Sequence, residues 1–391
     1  LAFLVTPHGW AAERNLALYD LFTYDFSADP GQVTVTTAPP ATAAPTTTRP
    51  PSATTEVPQS STSMPPTTMP ATTTSTTTTT MPDPFAGYER INVLLLGGDS
   101  GVGRWGVRTD TMIVVSIDPT TGSTAMFSVP RNTVWVPVPD SMPAYHRHWC
   151  HCYTGPANAI YQRGLLYPED YPGGPNTGGN AAKALLGELL GLDIHYFALV
   201  DLQGFVDIVD AIGGVTITVT ERIYEPYYPH EDGTRERVEI LPGTYEMDGH
   251  LALVYARSRR QSDDYVRMGR QRCVVEAIAE QADPIGLLRA LPDLVPAIQG
   301  SVVTDIRISE IPDFLDLVAR ADLETVPSVR FMWLAPELEG TGTSYVAGFE
   351  EAGFPRPNVP LIRETVQTVL SLPPAEAIET LNLEPLEEVC G

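Results

Sequence analysis

Residues 91–97 read INVLLLG and residues 111–129 read TMIVVSIDPTTGSTAMFSV. The first run is apolar apart from Asn92 and ends in glycine, the pattern of a strand buried on both faces. The second holds two β-rich segments, Thr111–Asp118 and Ser123–Val129, around Asp118-Pro119-Thr120-Thr121-Gly122. That turn chemistry predicts a hairpin. Downstream the periodicity switches to helical. Gly178–Leu190 predicts a helix stopped at Gly191, followed by a strand over Tyr196–Asp201. Leu202–Ile212 predicts a second helix, ended by Gly213-Gly214 before a strand over Val215–Val219. Met268–Ala282 predicts an amphipathic helix with Val274, Val275 and Ile278 on its apolar side. Further helices are expected near Ile285–Ile298, Ile311–Ala321 and Leu361–Leu370, with a strand at Val329–Leu334. Strands alternating with helices predict an α/β fold, a central mixed β-sheet with helices packed on both sides.

Upstream of residue 85 the composition is different. Residues 32–84 hold 20 threonines and 11 prolines, and only Arg49, Glu56 and Asp83 are charged. Such a tract cannot bury enough apolar surface to offset its ordering entropy, so it reads as a disordered stalk or linker, open to O-glycosylation. Residues 1–31 are a separate N-terminal segment with a short helix expected over Glu13–Phe26 and no assigned role. The apolar start Leu1–Val5 reads as the stub of a longer hydrophobic segment. The expected organisation is therefore 1–31, the stalk 32–84, a catalytic domain 85–285 and a C-terminal extension 286–391 packed on it.

The chain carries 48 acidic and 24 basic residues, a formal charge of −24. Nucleic acid and anionic membrane surfaces recruit basic faces, so both are disfavoured as non-specific partners. Two local patterns run against this acidic background. Asp99 stands just beyond the first buried strand, and Arg108-Thr109-Asp110 stands at the mouth of the second. Neighbouring strands can bring two such carboxylates together, and two carboxylates with phosphate oxygens are the usual holder of Mg²⁺. Turn or capping roles for both aspartates are the competing reading. Ser128-Val129-Pro130-Arg131 adds a guanidinium at the same edge. The window YARSRRQSDDYVRMGRQR (255–272) then sets six arginines against two aspartates. Arg267, Arg270 and Gln271 fall at i, i+3 and i+4, on one helical face. Guanidinium forks match phosphate oxygens in pairs, so a phosphate or pyrophosphate site is expected in preference to a solvated basic face. No P-loop and no G-x-S-x-G elbow occurs.

Four cysteines and the stalk suit an oxidising compartment. Cys150 and Cys152 stand too close in sequence to pair comfortably with each other, so each is expected to bond Cys273 or Cys390. A zinc reading of His146, His148, Cys150, His151 and Cys152 competes, although structural zinc sites recruit cysteine pairs from two places.

Taken in order, INVLLLGGDSG, RTDTMIVVSIDPTTG, SVPRNT, LVDLQGFVDIVDAIGGVTITV, LPGTYEMDGHLALVYARSR and SDDYVRMGRQR resemble the successive motifs of the LytR-CpsA-Psr family, over roughly residues 88–285. With the stalk and the arginine bias, the resemblance is to its actinobacterial branch. It implies an extracytoplasmic, membrane-anchored phosphotransferase that moves a glycopolymer from a polyprenyl-pyrophosphate carrier to peptidoglycan, leaving a phosphodiester. It implies Asp99 and Asp110 as ligands of Mg²⁺ (or Mn²⁺). Arg108, Arg131, Arg257, Arg259, Arg267 and Arg270 would clamp the phosphates, with Gln271 beside them and Asp264 orienting the arginines. Asn132 departs from the aspartate common in the family. The carrier's tail needs an apolar groove, for which Phe205–Ile212 and Val274–Ile278 are candidates, though ordinary core explains them equally. A polyprenyl-pyrophosphate phosphatase or a non-catalytic polymer-binding protein would draw on the same charge.

Overall fold

The computed structural model describes residues 84–383 apart from 86, 100–106, 231–233, 259–263, 282–293, 296–297, 324 and 351–352. The N-terminal segment, the stalk up to residue 83, the expected helix over 285–298 except residues 294, 295 and 298, Arg259 and Cys390 lie outside the described residues.

Three antiparallel strands form the centre: β1 (Ile91–Gly98), β2 (Thr109–Ile117) and β3 (Thr124–Ser128). The β2–β3 hairpin turns through Asp118, whose carboxylate accepts from the backbone N–H groups of Thr120 and Thr121. After two short strands, β4 (Val136–Pro137) and β5 (Cys152–Tyr153), come helices α1 (Ile160–Leu166) and α2 (Thr177–Leu190). Asn176 caps α2 by accepting from the Gly179 N–H, and Gly191 ends it in the left-handed conformation at φ 69°. Strand β6 (Tyr196–Val200) then pairs parallel with β1.

Next come α3 (Leu202–Ala211), β7 (Val215–Val219), the hairpin of β8 (Ile223–Pro229) and β9 (Arg235–Ile240), β10 (Gly243–Met247) and α4 (Gly249–Arg257). Helix α5 (Asp264–Gln281) follows. The later elements are β11 (Val302–Thr304), α6 (Ile311–Arg320), β12 (Ser328–Arg330), the pair β13 (Val346–Phe349) and β14 (Pro355–Pro357), α7 (Val359–Ser371) and α8 (Pro374–Leu381).

The main sheet runs β11-β6-β1-β2-β3-β12, with both parallel and antiparallel pairs. Period-2 alternation in β1 sends Leu94 and Leu96 to one face, where they join the large core with α2 and α7. Ile91 and Val93 go to the other face, under Phe314 and Leu317 of α6. Helices therefore cover both faces, as the alternating pattern predicts. The sequence division at residue 285 does not coincide with a division of the sheet, because β11 and β12 from the C-terminal region form its two edges. Asp305, just after β11, receives the ammonium of Lys183 on α2 and the backbone N–H of Phe197 on β6.

One expectation is overturned. Cys150 and Cys152 are disulfide-bonded to each other, with their Cα atoms 5.1 Å apart. His151 between them adopts φ 50°, and this left-handed turn brings the two side chains to the same side within the normal disulfide span. Cys273 is disulfide-bonded as well and is buried in α5.

The start of the β1–β6 pairing carries a titratable group. The Asn92 N–H donates to His195 Nδ1, and the His195 N–H donates back to the Asn92 carbonyl. Burial pushes the His195 imidazole below its ordinary value, opposed by Asp193 and reinforced by Lys183. Since the fold favours the neutral ring, this group's contribution to stability is complete above the unfolded value of about 6.5. It falls away as pH drops from there toward the lower folded value. His195→Gln is expected to show a smaller loss of Tm between pH 7.5 and pH 5.5 than the parent chain; equal losses would remove His195 from the account.

Candidate active site

The register of β1 on β2 slips at one place: Gly97 pairs with Thr111 but Gly98 with Thr109. Asp110 is the extra residue of a β-bulge, which breaks the strict alternation of faces and re-aims side chains. As a result Asp110 and Thr111, adjacent in sequence, both line one cavity. The expected strand boundary at Thr111 is thus two residues late, because the apolar run starts only after the bulge. Asp99 follows β1 directly, and its N–H donates to the Arg108 carbonyl across the gap between the strands. Asp110 is held on both oxygens. Arg131 donates to Oδ2 at 2.6 Å and Asn158 to Oδ1 at 2.9 Å, while Arg267 reaches the Asp110 backbone carbonyl at 3.2 Å.

Opposite these strands stand α4 and α5. Asp248 caps α4 by accepting from the Leu251 N–H, and Arg257 is its last residue, where the helix dipole favours a cation. One Arg257 nitrogen lies 3.7 Å from Asp99 Oδ1, and another donates to the Tyr228 hydroxyl at 3.4 Å. Burial raises the Tyr228 phenol above its ordinary value, and Arg257 counters this. Ser258, just past α4, donates its hydroxyl to Glu225, and its carbonyl accepts from Arg270 at 2.6 Å.

The cavity has a volume of about 790 Å³. Its floor is the sheet face carrying Leu95, Ile113 and Ala198, and its walls are α3, α4 and α5. On α5 the lining residues are Arg267, Gln271, Val274, Val275 and Ile278. These fall at i, i+4, i+7, i+8 and i+11, one continuous helical stripe. The stripe begins cationic and ends aliphatic over ~16 Å of helix. Phe205 and Ile208 of α3 face its aliphatic part across the same cavity. A close approach holds those walls together: a Cβ on Gly249 would lie 2.3 Å from the Val206 carbonyl oxygen. Gly249→Ala is expected to push α3 and α4 apart and cost about 1–3 kcal/mol. A lowered urea midpoint reads this, and an unchanged midpoint would show that the helices separate freely.

These features have known relatives. The LytR_cpsA_psr family model matches residues 56–348, three quarters of the chain. The chain belongs to this family. Among curated LytR_cpsA_psr-like relatives, a polyisoprenyl-teichoic acid–peptidoglycan teichoic acid transferase TagU from Oceanobacillus iheyensis is 28% identical over 60% of this chain and 64% of its own. Biofilm regulatory protein A from Streptococcus mutans is 27% identical over 68% of this chain and 60% of its own. The chain thus spans about three fifths of the length of the curated relatives it matches. The crystal structure of Bacillus subtilis TagV superposes with a TM-score of 0.52 at 22% identity, covering 72% of this chain and 98% of that one, and so shares the fold.

Within this LytR_cpsA_psr fold, Asp99, Asp110, Arg131, Arg257, Arg267 and Gln271 come together around the polar end of the cavity. Arg270 does not line it. It is buried behind α4, holding the Ser258 carbonyl and lying 5.9 Å from the centre of the Tyr255 ring, whose phenol burial pushes up to about 12. Burial also pulls the Arg270 guanidinium below its ordinary value. Its guanidinium thus meets the residue that follows Arg257 and not the cavity lining. Arg108 is exposed and outside the cavity lining. Asp264 begins α5, but its side chain, like Arg259 as a whole, is outside the described residues. Arg272, counted in the basic window, is buried and bonds Ser328 on β12. Sequence reasoning missed Asn158, Glu225 and Tyr228. The last two lie on β8, whose run IYEPYYP contains two prolines and no clean alternation.

Proposed function

We propose that this chain transfers a glycopolymer from a polyprenyl-pyrophosphate carrier to a hydroxyl of peptidoglycan, forming a phosphodiester. The observation that carries the reading is the single α5 stripe, cationic at Arg267 and aliphatic at Ile278, in a cavity that Asp99, Asp110, Arg131 and Arg257 also line. A pyrophosphate joined to a long isoprenoid has this same sequence of chemistries. The TagU relative, a polyisoprenyl-teichoic acid–peptidoglycan teichoic acid transferase, supports it.

In this reaction the acceptor oxygen bonds to the phosphorus that bears the glycan, and its proton passes to the departing polyprenyl phosphate. The bond from that phosphorus to the bridging oxygen breaks, and polyprenyl monophosphate leaves. Little covalent work is asked of the protein; alignment and charge neutralisation carry the rate. Arg257 and Arg131 would face the phosphate oxygens, while buried Arg267 is already fixed by its bond to the Asp110 carbonyl. Asp99 and Asp110 supply hard oxygen donors on one cavity wall, the donor type that suits Mg²⁺ or Mn²⁺. When bound there, the cation would neutralise charge on the pyrophosphate. Such a substrate places the protein's work at the outer face of the cytoplasmic membrane, and membrane anchoring belongs to the same proposal. Among the described residues no helix is long and apolar enough to cross a membrane.

The test incubates the protein with a polyprenyl-pyrophosphate glycan and peptidoglycan, with Mg²⁺ and with chelator. Wall-linked polymer that disappears with chelator is expected. Release of free phosphorylated glycan without linkage would replace the reading by a phosphatase, and no turnover would reduce it to polymer binding.

A further inference from the structure

Outside the cavity, a second cluster of metal-ligating side chains is built from three separate elements. His230 follows β8, Glu236 lies on β9 and His250 is in the first turn of α4. Hairpin register sets Glu236 opposite Tyr228, and a bond from the His230 N–H to the Thr234 carbonyl continues the ladder beyond Pro229. Glu236 Oε1 lies 2.5 Å from His250 Nε2 and 3.6 Å from His230 Nε2. The two imidazoles stack at 5.3 Å with 14° between their planes, and Tyr228 stands edge-on to both.

We propose that His230, Glu236 and His250 form a binding site for a divalent transition cation, with Zn²⁺ as the matching ion. One ligand atom from each residue falls within 4.8 Å of the others. Zinc bound by two imidazoles and a carboxylate at ~2.0–2.2 Å separates those ligand atoms by roughly 3.3 Å. The His230–Glu236 distance meets this already, and His250 needs to withdraw from Glu236 by less than about 1 Å. All three side chains are part-exposed, at 32%, 35% and 41%, so the ion has a path in and room for a water as fourth ligand. Two imidazoles select against Mg²⁺ and Ca²⁺, which separates this site from the carboxylates of the cavity.

Placement gives the site a consequence. Tyr228 touches both histidines, lines the cavity and accepts from Arg257. An ion here would fasten the β8–β9 hairpin to α4, the helix that ends in Arg257. The proposal stands on this geometry and does not depend on the reaction proposed above.

The experiment titrates the chelator-stripped full chain with Zn²⁺ by calorimetry, without glycan carrier and with Mg²⁺ in excess. One Zn²⁺ site is expected that is lost in His230→Ala and in His250→Ala and weakened at least tenfold in Glu236→Gln, a change that keeps the side chain's shape. Circular dichroism should match the parent in all three. Co²⁺ in place of Zn²⁺ should show visible d–d absorption that the same substitutions remove. Absence of a Zn²⁺ site in the parent, or unchanged binding in the histidine variants, would overturn the proposal. Loss of the ion in a control lacking His146 and His148 instead would also overturn it.

Discussion

Arg257→Ala is expected to lower kcat for the proposed glycopolymer transfer by about 10²–10³-fold, the effect of removing one preorganised charge donor from a site of developing negative charge. Its guanidinium lies between Asp99 and the Tyr228 hydroxyl, at the end of a capped helix. Those contacts hold it in place before substrate arrives, so its electrostatic work requires little reorganisation. Arg257 is itself part-exposed, and truncation removes no core packing. Its thermal midpoint should therefore stay close to that of the parent. Arg257→Lys keeps the charge but loses the fork, and should recover only part of the rate. Transfer assays with parent-like kcat in Arg257→Ala would show that Arg257 does not face the reacting phosphate.

Ile278→Glu should act on the opposite term. Ile278 lines the cavity three helical turns beyond Arg267, so its partner in the proposed complex is carrier tail and not phosphate. A carboxylate there would have to shed water against hydrocarbon, at a cost of about 2–3 kcal/mol, or 30- to 150-fold in affinity. Tail contacts are equal in the ground and transition states, so the loss falls on KM and leaves kcat nearly unchanged. A pyrophosphate substrate with a tail too short to reach Ile278 should not distinguish the variant from the parent. Equal sensitivity of long and short carriers would place the tail elsewhere. Together the two variants split kcat from KM between two walls of one cavity, Arg257 on α4 and Ile278 on α5.

Much of this was legible in the chain. The apolar run at 91–97, the turn at Asp118–Gly122 and the capped helix ending at Gly191 each declare themselves locally, and the structure places each within a residue or two. The arginine window was equally visible as charge. Its internal division was not. Arg267, Arg270 and Arg272 look alike in sequence, yet one faces the cavity, one holds the end of α4 and one reaches β12. Helix α5 is covered on several sides, so direction alone separates a ligand-facing arginine from a structural one, and direction depends on what packs where. The Cys150–Cys152 bond was misjudged for a related reason: spacing argued against it, and a backbone turn at His151 overrode the spacing.

By itself the run INVLLLG and the hairpin after it determined the three central strands and the edge at which Asp99 and Asp110 stand. Burial and turn chemistry are local properties, written in consecutive residues. Only the tertiary structure decided that a one-residue bulge re-aims Asp110, that β11 and β12 close the sheet from the far end of the chain, and that His230, Glu236 and His250 meet beside Tyr228. Each of these depends on elements distant in sequence fitting one register, and no single stretch of chain encodes that fit.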